Sequence, residues 1–239
     1  MATAEKLHVL KGHTRGVLDL ALDPSASDLG NAPAGGLQEA KVFSAGSDRE
    51  IRQWRISLEK CEQLDAETPL LVHETSVYAL HFDDDGDLWT ASADGTAKCL
   101  SRFRNFQPDS TIQHGDYVRA VALEEIGGYV VTAGRSEDVK VWDRGSGELV
   151  STFDGHYEEV TGLVMLQQRC VSVGIDGTIR SWGLTHEELA NAKTQDKKGS
   201  EKLEAVDDVN KTRHADQGEQ SGLTEEEERE LEELMHDGD

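Results

Sequence analysis

Short apolar runs separated by turn residues recur along most of the chain, and in several of them apolar and polar residues alternate. Residues 17–22 (VLDLAL) show this alternation, whose period of two is expected of a β-strand with one buried face. Asp-Gly turns, as at 94–95 and 176–177, separate neighbouring runs. The pattern predicts many short strands joined by tight turns, and therefore an all-β fold.

One complete unit of this pattern runs from Gly155 to Trp182. It opens with Gly-His, contains two apolar runs and an Asp-Gly turn, and ends with Trp. The same order occurs three more times upstream, with spacings of 46, 42 and 40 residues between the terminal positions of the units, so we predict a repeat protein. The units occupy about residues 6–56, 68–103, 110–148 and 149–184.

Each unit also carries polar residues at fixed places: a His near its start, a Ser or Thr ten residues before its terminal position, and an Asp six residues before it. The second unit has Leu100 in place of the terminal Trp, and the third has Ser136 in place of the Asp. The repeated residues are His13, Ser44, Asp48 and Trp54; His73, Thr90 and Asp94; His114, Thr132 and Trp142; and His156, Ser172, Asp176 and Trp182.

With these residues at this spacing, the chain resembles the WD40 repeat proteins over about residues 6–184. The resemblance implies four-stranded β-propeller blades, each held by a hydrogen-bonded tetrad in which the carboxylate orients the imidazole and the hydroxyl bridges imidazole and indole. Because the same set recurs once per unit, we assign it a structural role and no catalytic one. No catalytic, cofactor-binding or metal-ligand motif is recognised, so we expect a protein that is not an enzyme. The second and third blades, with incomplete sets, are expected to be less rigid.

Four blades are fewer than the roughly seven usual in this family. The units read as an outer strand followed by three more, so the fourth blade lacks a strand after Trp182, and Leu7–Leu10 could supply it across the ring seam. Three alternatives follow: two chains pair into an eight-bladed ring, the blades of a partner complete the ring, or the chain is part of a longer seven-bladed protein. Seven blades would leave three to be supplied, which favours the last two alternatives.

Propellers that resemble this chain bind peptides or domains on the narrow face around the channel. The resemblance therefore implies a protein-interaction scaffold, acting as an adaptor subunit of a larger complex. A substrate receptor of a cullin-type ubiquitin ligase is one alternative, although Trp142-Asp143-Arg144 misses the expected Trp-Asp-x-Arg by one place. An assembly factor or chaperone for basic clients, such as ribosomal proteins or histones, is another. If the outer strand is counted as the first of each unit, the candidate partner-binding residues lie just before the second strand or just after the third. They are Arg15, Arg49, Ser76, Asp116, Tyr117, Arg135 and Glu158.

The chain as a whole is strongly acidic, and its composition changes after Leu184. The net charge of −23 argues against non-specific binding to nucleic acid or anionic lipid and permits basic protein partners. Residues 185–222 are charged and poor in apolar residues, which predicts a disordered linker with at most a helical turn near 187–193. Residues 223–239 predict a short acidic helix, which either docks on a partner or remains a solvated tail. Its apolar side is formed by Leu231, Leu234 and Met235.

The remaining features concern location and loops. Cys61, Cys99 and Cys170 form no CxxC pair, and neither a secretory signal nor a transmembrane run is recognised, so we expect reduced thiols and a cytoplasmic or nuclear protein. Residues 24–40 lack any period and predict a surface loop. The acidic run DDDGD at 83–87 fails the EF-hand pattern and predicts a simple hairpin turn.

Overall fold

The computed structural model describes residues 8–24, 39–57, 60–65 and 67–192. Within these ranges, fifteen strands form four antiparallel sheets, each made of strands consecutive in the sequence. The predicted all-β fold of four blades is confirmed. None of the helices in the described ranges is long and apolar enough to span a membrane.

The four sheets are called blades 1 to 4, and only blade 4 has three strands instead of four. Blade 1 contains β1 (Val17–Leu22), β2 (Glu39–Gly46), β3 (Ile51–Ser57) and β4 (Cys61–Gln63). Blade 2 contains β5 (Val77–Phe82), β6 (Leu88–Ser92), β7 (Thr96–Ser101) and β8 (Gln107–Gln113). Blade 3 contains β9 (Val118–Glu124), β10 (Tyr129–Gly134), β11 (Val139–Asp143) and β12 (Leu149–Phe153). Blade 4 contains β13 (Val160–Leu166), β14 (Arg169–Gly174) and β15 (Ile179–Gly183).

The first strand of every blade carries the same irregularity. In β1, β5, β9 and β13 the register with the next strand shifts at the second residue of the strand. Such a bulge bends the strand and turns one side chain out of the regular alternation. The residues at this position are Leu18, Tyr78, Arg119 and Thr161.

The core consists of three apolar clusters, one between each pair of successive blades. Phe43 and Ile51 of blade 1 pack with Val77 and Leu100 of blade 2. A second cluster joins blades 2 and 3, and a third joins blades 3 and 4. The first strands follow one another in the same order, because β1 contacts β5, β5 contacts β9, and β9 contacts β13. The described residues therefore form an arc of four blades.

Two expectations near the ends of the arc can be compared with the structure. Of the outer strand predicted at Leu7–Leu10, residues 8–10 contain no regular secondary structure. A helical turn was predicted near 187–193, and residues 186–192 form a short helix whose Leu189 is buried in the cluster between blades 3 and 4. The rest of the predicted linker, the acidic helix at 223–239 and most of the loop at 24–40 lie outside the described residues.

Candidate functional site

The structure brings the repeated polar side chains together in each blade. In blade 1, His13 Nδ1 donates to Asp48 at 2.9 Å, and its Nε2 lies 2.7 Å from the hydroxyl of Ser44. The indole of Trp54 donates to the same hydroxyl at 2.7 Å. Blade 4 repeats this arrangement with distances of 2.9, 2.7 and 2.8 Å. In both blades a single buried hydroxyl joins an imidazole to an indole.

The carboxylate of each complete tetrad also ties two loops together. Asp48 accepts the backbone N–H of Thr14, and Asp176 accepts that of Tyr157, so each carboxylate holds the residue that follows its His. Burial opposes ionisation of Asp176, but the hydrogen bonds it accepts from Thr178 and His156 outweigh this and hold its pKa below the usual value. The tetrad therefore ties the loop before the first strand of the blade to the turn between its second and third strands.

In blade 3, where Ser136 stands in place of the carboxylate, the His114 imidazole has the opposite orientation. His114 Nδ1 lies 2.9 Å from Thr132 Oγ1, and its Nε2 lies 3.0 Å from the hydroxyl of Ser136, the opposite of the nitrogen order in the other blades. Burial and the nearby charge of Lys140 lower the pKa of His114 to about 4. His114 is therefore held as a neutral ring, without a counter-ion of the kind the other blades provide.

In blade 2, the missing indole is replaced by an apolar contact. His73 keeps its carboxylate, with Nδ1 2.8 Å from Asp94, and its Nε2 lies 2.8 Å from Thr90 Oγ1. The Thr90 hydroxyl, which has no indole beside it, lies 3.1 Å from the backbone carbonyl of Lys98. Leu100 is completely buried beside Phe106. The hydroxyl thus retains two partners although the indole donor is absent.

A buried network of this kind is suited to holding the fold and not to catalysis. Ser44 and Ser172 are almost inaccessible to solvent, and their oxygens already contact both an imidazole and an indole. A hydroxyl that attacks a substrate must be reachable by that substrate. The network therefore offers a rigid frame for the loops above it.

Those loops meet at one edge of the arc. In every blade, the residue after the second strand donates its backbone N–H to the carbonyl of the residue before the first strand, as in Ser47 to Gly16 at 2.8 Å and Arg135 to Tyr117 at 3.0 Å. Blades 2 and 4 have the same contact at 3.0 and 2.9 Å. We call this the loop edge, and it carries all seven partner-binding candidates from the described ranges.

The candidates at the loop edge differ in exposure and contacts. Arg15, Arg49 and Glu158 are exposed, whereas Ser76 and Asp116 are half-buried and face backbone N–H or C=O groups nearby. Tyr117 is exposed, and the guanidinium of Arg135 lies 5.2 Å from the centre of its ring. The other three candidates, Leu231, Leu234 and Met235, lie outside the described residues.

Two further groups at this edge were missed by the sequence analysis. Arg119 stacks on Tyr78 at 4.2 Å from the ring centre and pairs with Glu159 at 2.9 Å, so it joins three successive blades. Arg180 lies 5.6 Å from the ring of Tyr157, which is highly exposed. The repeat pattern could have revealed part of this contact, because Tyr78 and Arg119 both stand at the second residue of the first strand of a blade.

The opposite edge of the arc is held by ion pairs between neighbouring blades. Asp83 is completely buried, and Arg144 of blade 3 pairs with it at 2.5 Å and with Glu125 at 2.8 Å. Arg102 of blade 2 pairs in the same way with the buried Asp23 of blade 1 at 2.6 Å. These arginines join blades, and Arg144 is engaged here instead of facing outward.

Two groups of side chains could in principle approach a metal ion, but their atoms have other partners. His13, Asp48 and Glu50 form one group, in which the imidazole serves the tetrad and Glu50 pairs with Arg52. Asp83, Asp87 and Cys99 form the other, and Asp83 accepts from the Trp89 indole as well as from Arg144. Burial raises the pKa of Cys99 to about 12, so this thiol is a poor ligand. The run 83–87 is a turn, and all three cysteines of the chain are free thiols.

Blades of this topology, two with a complete tetrad and two with a partial one, define a β-propeller repeat protein. The family model for the WD domain, G-beta repeat, matches residues 4–55, 67–100 and 147–183. The chain belongs to the WD40 repeat family, a protein-interaction fold, and the predicted resemblance is confirmed. The matched segments omit the first three strands of blade 3, whose tetrad lacks the carboxylate.

Individual relatives include a WD repeat-containing protein of Schizosaccharomyces pombe, 32% identical over 97% of this chain and 54% of its own length. Among solved structures, the computationally designed Ika4 protein matches with a TM-score of 0.57 and 26% identity, over 77% of this chain and 100% of its own. The structure of U3-55K matches with a TM-score of 0.60 and 26% identity, over 76% of this chain and 52% of its own. The chain thus spans about half the length of the fission yeast relative and of U3-55K, and all of the designed protein.

Proposed function

We propose that the chain is a non-enzymatic scaffold that binds another protein at the loop edge, as an adaptor subunit of a larger complex. The observation that carries the proposal is the set of tyrosine–arginine pairs at this edge: Tyr78 with Arg119, Tyr117 with Arg135, and Tyr157 with Arg180. Tyrosine and arginine are, with tryptophan, the residues most enriched among those that dominate binding energy at protein interfaces.

The pairs are also held in place before a partner arrives. Each arginine is oriented by the ring beneath it, and Arg119 additionally by Glu159. The loops that carry Tyr117 and Tyr157 follow directly on the tetrad histidines His114 and His156. A surface that is ordered in advance loses less conformational entropy on binding.

Neither alternative function has comparable support in the described residues. The Arg144 side chain that comes nearest to the ligase-type motif is engaged with Asp83 and Glu125 between blades. The acidic segment that suggests a chaperone for basic clients lies outside the described residues. Deleting residues 223–239 and measuring recovery of ribosomal proteins and histones tests that alternative, because unchanged recovery would exclude it. We keep a cytoplasmic or nuclear location as a proposal that a fluorescent fusion can test.

Quantitative affinity purification tests the scaffold proposal. We expect Tyr117→Ala combined with Arg135→Ala to reduce recovery of bound proteins at least tenfold, because both side chains lie on the proposed surface. Phe103→Ala combined with Arg104→Ala is the matched control, since these exposed residues lie just after the third strand of blade 2, on the opposite edge. Equal losses in both double variants would refute the assignment of the loop edge.

A further inference from the structure

Ser136 lies in the turn between β10 and β11, at the position where the other three blades carry the tetrad carboxylate. In those blades the carboxylate accepts two backbone N–H groups besides facing its histidine. One belongs to the residue after the histidine, and the other to the residue two places after the carboxylate. In blade 4 these donors are Tyr157, at 3.2 Å, and Thr178, at 3.0 Å. Blades 1 and 2 repeat both contacts at distances between 2.8 and 3.3 Å. An imidazole and two N–H groups therefore converge on one anion.

Blade 3 has the same donors without an acidic side chain to receive them. The equivalent N–H groups belong to Gly115 and Asp138, and within the described ranges neither donates to a carboxylate. The N–H of Gly115 donates instead to the carbonyl of Gly95 at 3.4 Å, which is a long hydrogen bond. Both ring nitrogens of His114 face hydroxyl groups. Backbone N–H groups that converge at a turn favour an anion, so this turn is suited to receive one.

Ser136 is also more accessible than the other hydroxyls of the tetrads. Ser44, Thr132 and Ser172 are almost completely buried, whereas Ser136 is half-buried between two exposed residues, Arg135 and Glu137. A modifying enzyme can therefore approach this serine from the loop edge. Two acidic residues follow it directly in the sequence, at 137 and 138. A kinase with a basic substrate-binding site would match this charge pattern.

We propose that Ser136 is a phosphorylation site, and that its phosphate takes the place of the tetrad carboxylate in blade 3. A serine kinase would transfer the γ-phosphoryl group of ATP to Ser136 Oγ. The new Oγ–P bond forms as the bond from the γ-phosphorus to the leaving oxygen of ADP breaks, and the hydroxyl proton passes to a base of the kinase. The product carries nearly two negative charges and three strong acceptor oxygens. This modification goes beyond the proposed function and does not depend on it.

The surroundings of Ser136 can compensate much of the added charge. His114 Nε2 lies 3.0 Å from Ser136 Oγ, so a phosphate oxygen would meet this ring and favour its protonated form. The Lys140 amine donates to the backbone carbonyl of His114 at 2.9 Å and adds a cation on the same side of the blade. Glu137 is exposed and can keep its carboxylate in solvent. Burial already raises the pKa of Asp138, so a nearby phosphate would meet a carboxyl that is readily neutralised.

The phosphate would complete the link that the tetrad makes in the other blades. The loop at 115–117 is tied to the turn at 135–138 by the bond from the Arg135 N–H to the Tyr117 carbonyl. A phosphate on Ser136 would add acceptors for the N–H groups of Gly115 and Asp138, as Asp176 does for the equivalent groups of blade 4. Phosphorylation would thus convert the partial tetrad of blade 3 into a complete one.

Phosphoserine placed at position 136 of the full chain by genetic encoding tests this structural role. Nuclear magnetic resonance should show the pKa of His114 raised from about 4 by about one unit or more. Hydrogen exchange of the Gly115 and Asp138 amides should slow by about tenfold or more, because both gain an acceptor. Phosphoserine at Ser146, which is exposed in the same blade on the opposite edge, should change neither quantity. An unchanged His114 titration, or equal changes with the two phosphoserines, overturns the proposed role.

Incubation of the unaltered chain with Mg-ATP and an acid-directed serine kinase tests the modification itself. Peptide mapping by tandem mass spectrometry should find one phosphate on Ser136, and Ser136→Ala should lose it. Circular dichroism of Ser136→Ala checks that the loss does not come from unfolding. Phosphate found only on other serines of the folded chain, with Ser136 unmodified, overturns the assignment of the site.

Discussion

The guanidinium carbon of Arg119 lies 4.2 Å from the centre of the Tyr78 ring, across the boundary between blades 2 and 3. Both residues occupy the bulge of a first strand, where the side chain leaves the regular alternation. Arg119 then reaches Glu159 of the next blade. A single side chain therefore couples the positions of three loops that belong to separate sheets.

The tetrad of blade 4 should contribute strongly to stability through Ser172. Ser172→Ala removes the acceptor of the indole of Trp182, which is half-buried, and the partner of the buried His156 Nε2, so both groups lose a hydrogen-bond partner. We expect a loss of about 2–4 kcal/mol in the free energy of unfolding. Urea denaturation measures this, with Ser181→Ala on exposed β15 as the control. Equal stability of the two variants would show that the tetrad does not hold the blade.

Blade 3 should make the protein sensitive to mild acid. Burial lowers the pKa of His114 in the folded state to about 4, below the ordinary histidine value of 6.5, so between these pH values the unfolded chain binds the extra proton. Stability therefore falls as the pH is lowered from 6.5 to 4, by about 3 kcal/mol in total. Denaturation midpoints measured across this pH range test the sign and the size of the effect.

Restoring the missing carboxylate should reduce this acid sensitivity. Ser136→Asp places a negative charge beside His114, which favours the protonated ring and raises its pKa towards the usual value. We expect the stability lost between pH 6.5 and 4 to be at least halved. Ser136→Asn has the same shape without the charge, and it should not reduce the loss. A similar pH profile for both variants would contradict this explanation of the His114 pKa.

Supplying the missing indole in blade 2 should destabilise the protein. Leu100→Trp could donate to Thr90 and gain about 1 kcal/mol, but Leu100 is completely buried against Phe106. Overpacking a filled site costs about 1–3 kcal/mol, so we expect a net loss. Leu100→Met conserves volume and should cost less. A melting temperature above that of the unaltered chain would show that space for the indole remains.

The ion pair between blades 2 and 3 should contribute far more to the free energy of unfolding than a surface pair. Arg144→Leu leaves the buried carboxylate of Asp83 without its counter-ion, and we expect a loss of about 3 kcal/mol. Arg104→Leu breaks the exposed pair with Asp109 and should change stability by less than about 0.5 kcal/mol. Chemical denaturation of the two variants provides the comparison, and similar losses would contradict it.

The sequence predicted the blades well because their determinants are local. A strand needs only alternation and a tight turn, and the spacing between Ser172 and Trp182 follows from adjacent strands of one sheet. The same reasoning identified the places in blades 2 and 3 where a tetrad member is replaced.

The contacts that the sequence did not show depend on neighbouring blades. The pairing of Arg119 with Tyr78 and Glu159 requires knowledge of how three successive sheets pack side by side. The reversed ring of His114 depends on which acceptor remains within reach after the carboxylate is replaced. An outer strand was expected at Leu7–Leu10 because the sequence there fits one, but a strand also needs a neighbouring strand to pair with.

The central claim is that the loop edge binds a protein partner, and Arg119 tests it most directly. Affinity purification coupled to quantitative mass spectrometry should show at least a tenfold lower recovery of partners with Arg119→Ala. Arg104→Ala, which removes an exposed arginine from the opposite edge, should leave recovery unchanged, and thermal melting should show both variants folded. Full recovery with Arg119→Ala, or an equal loss with Arg104→Ala, would contradict the account.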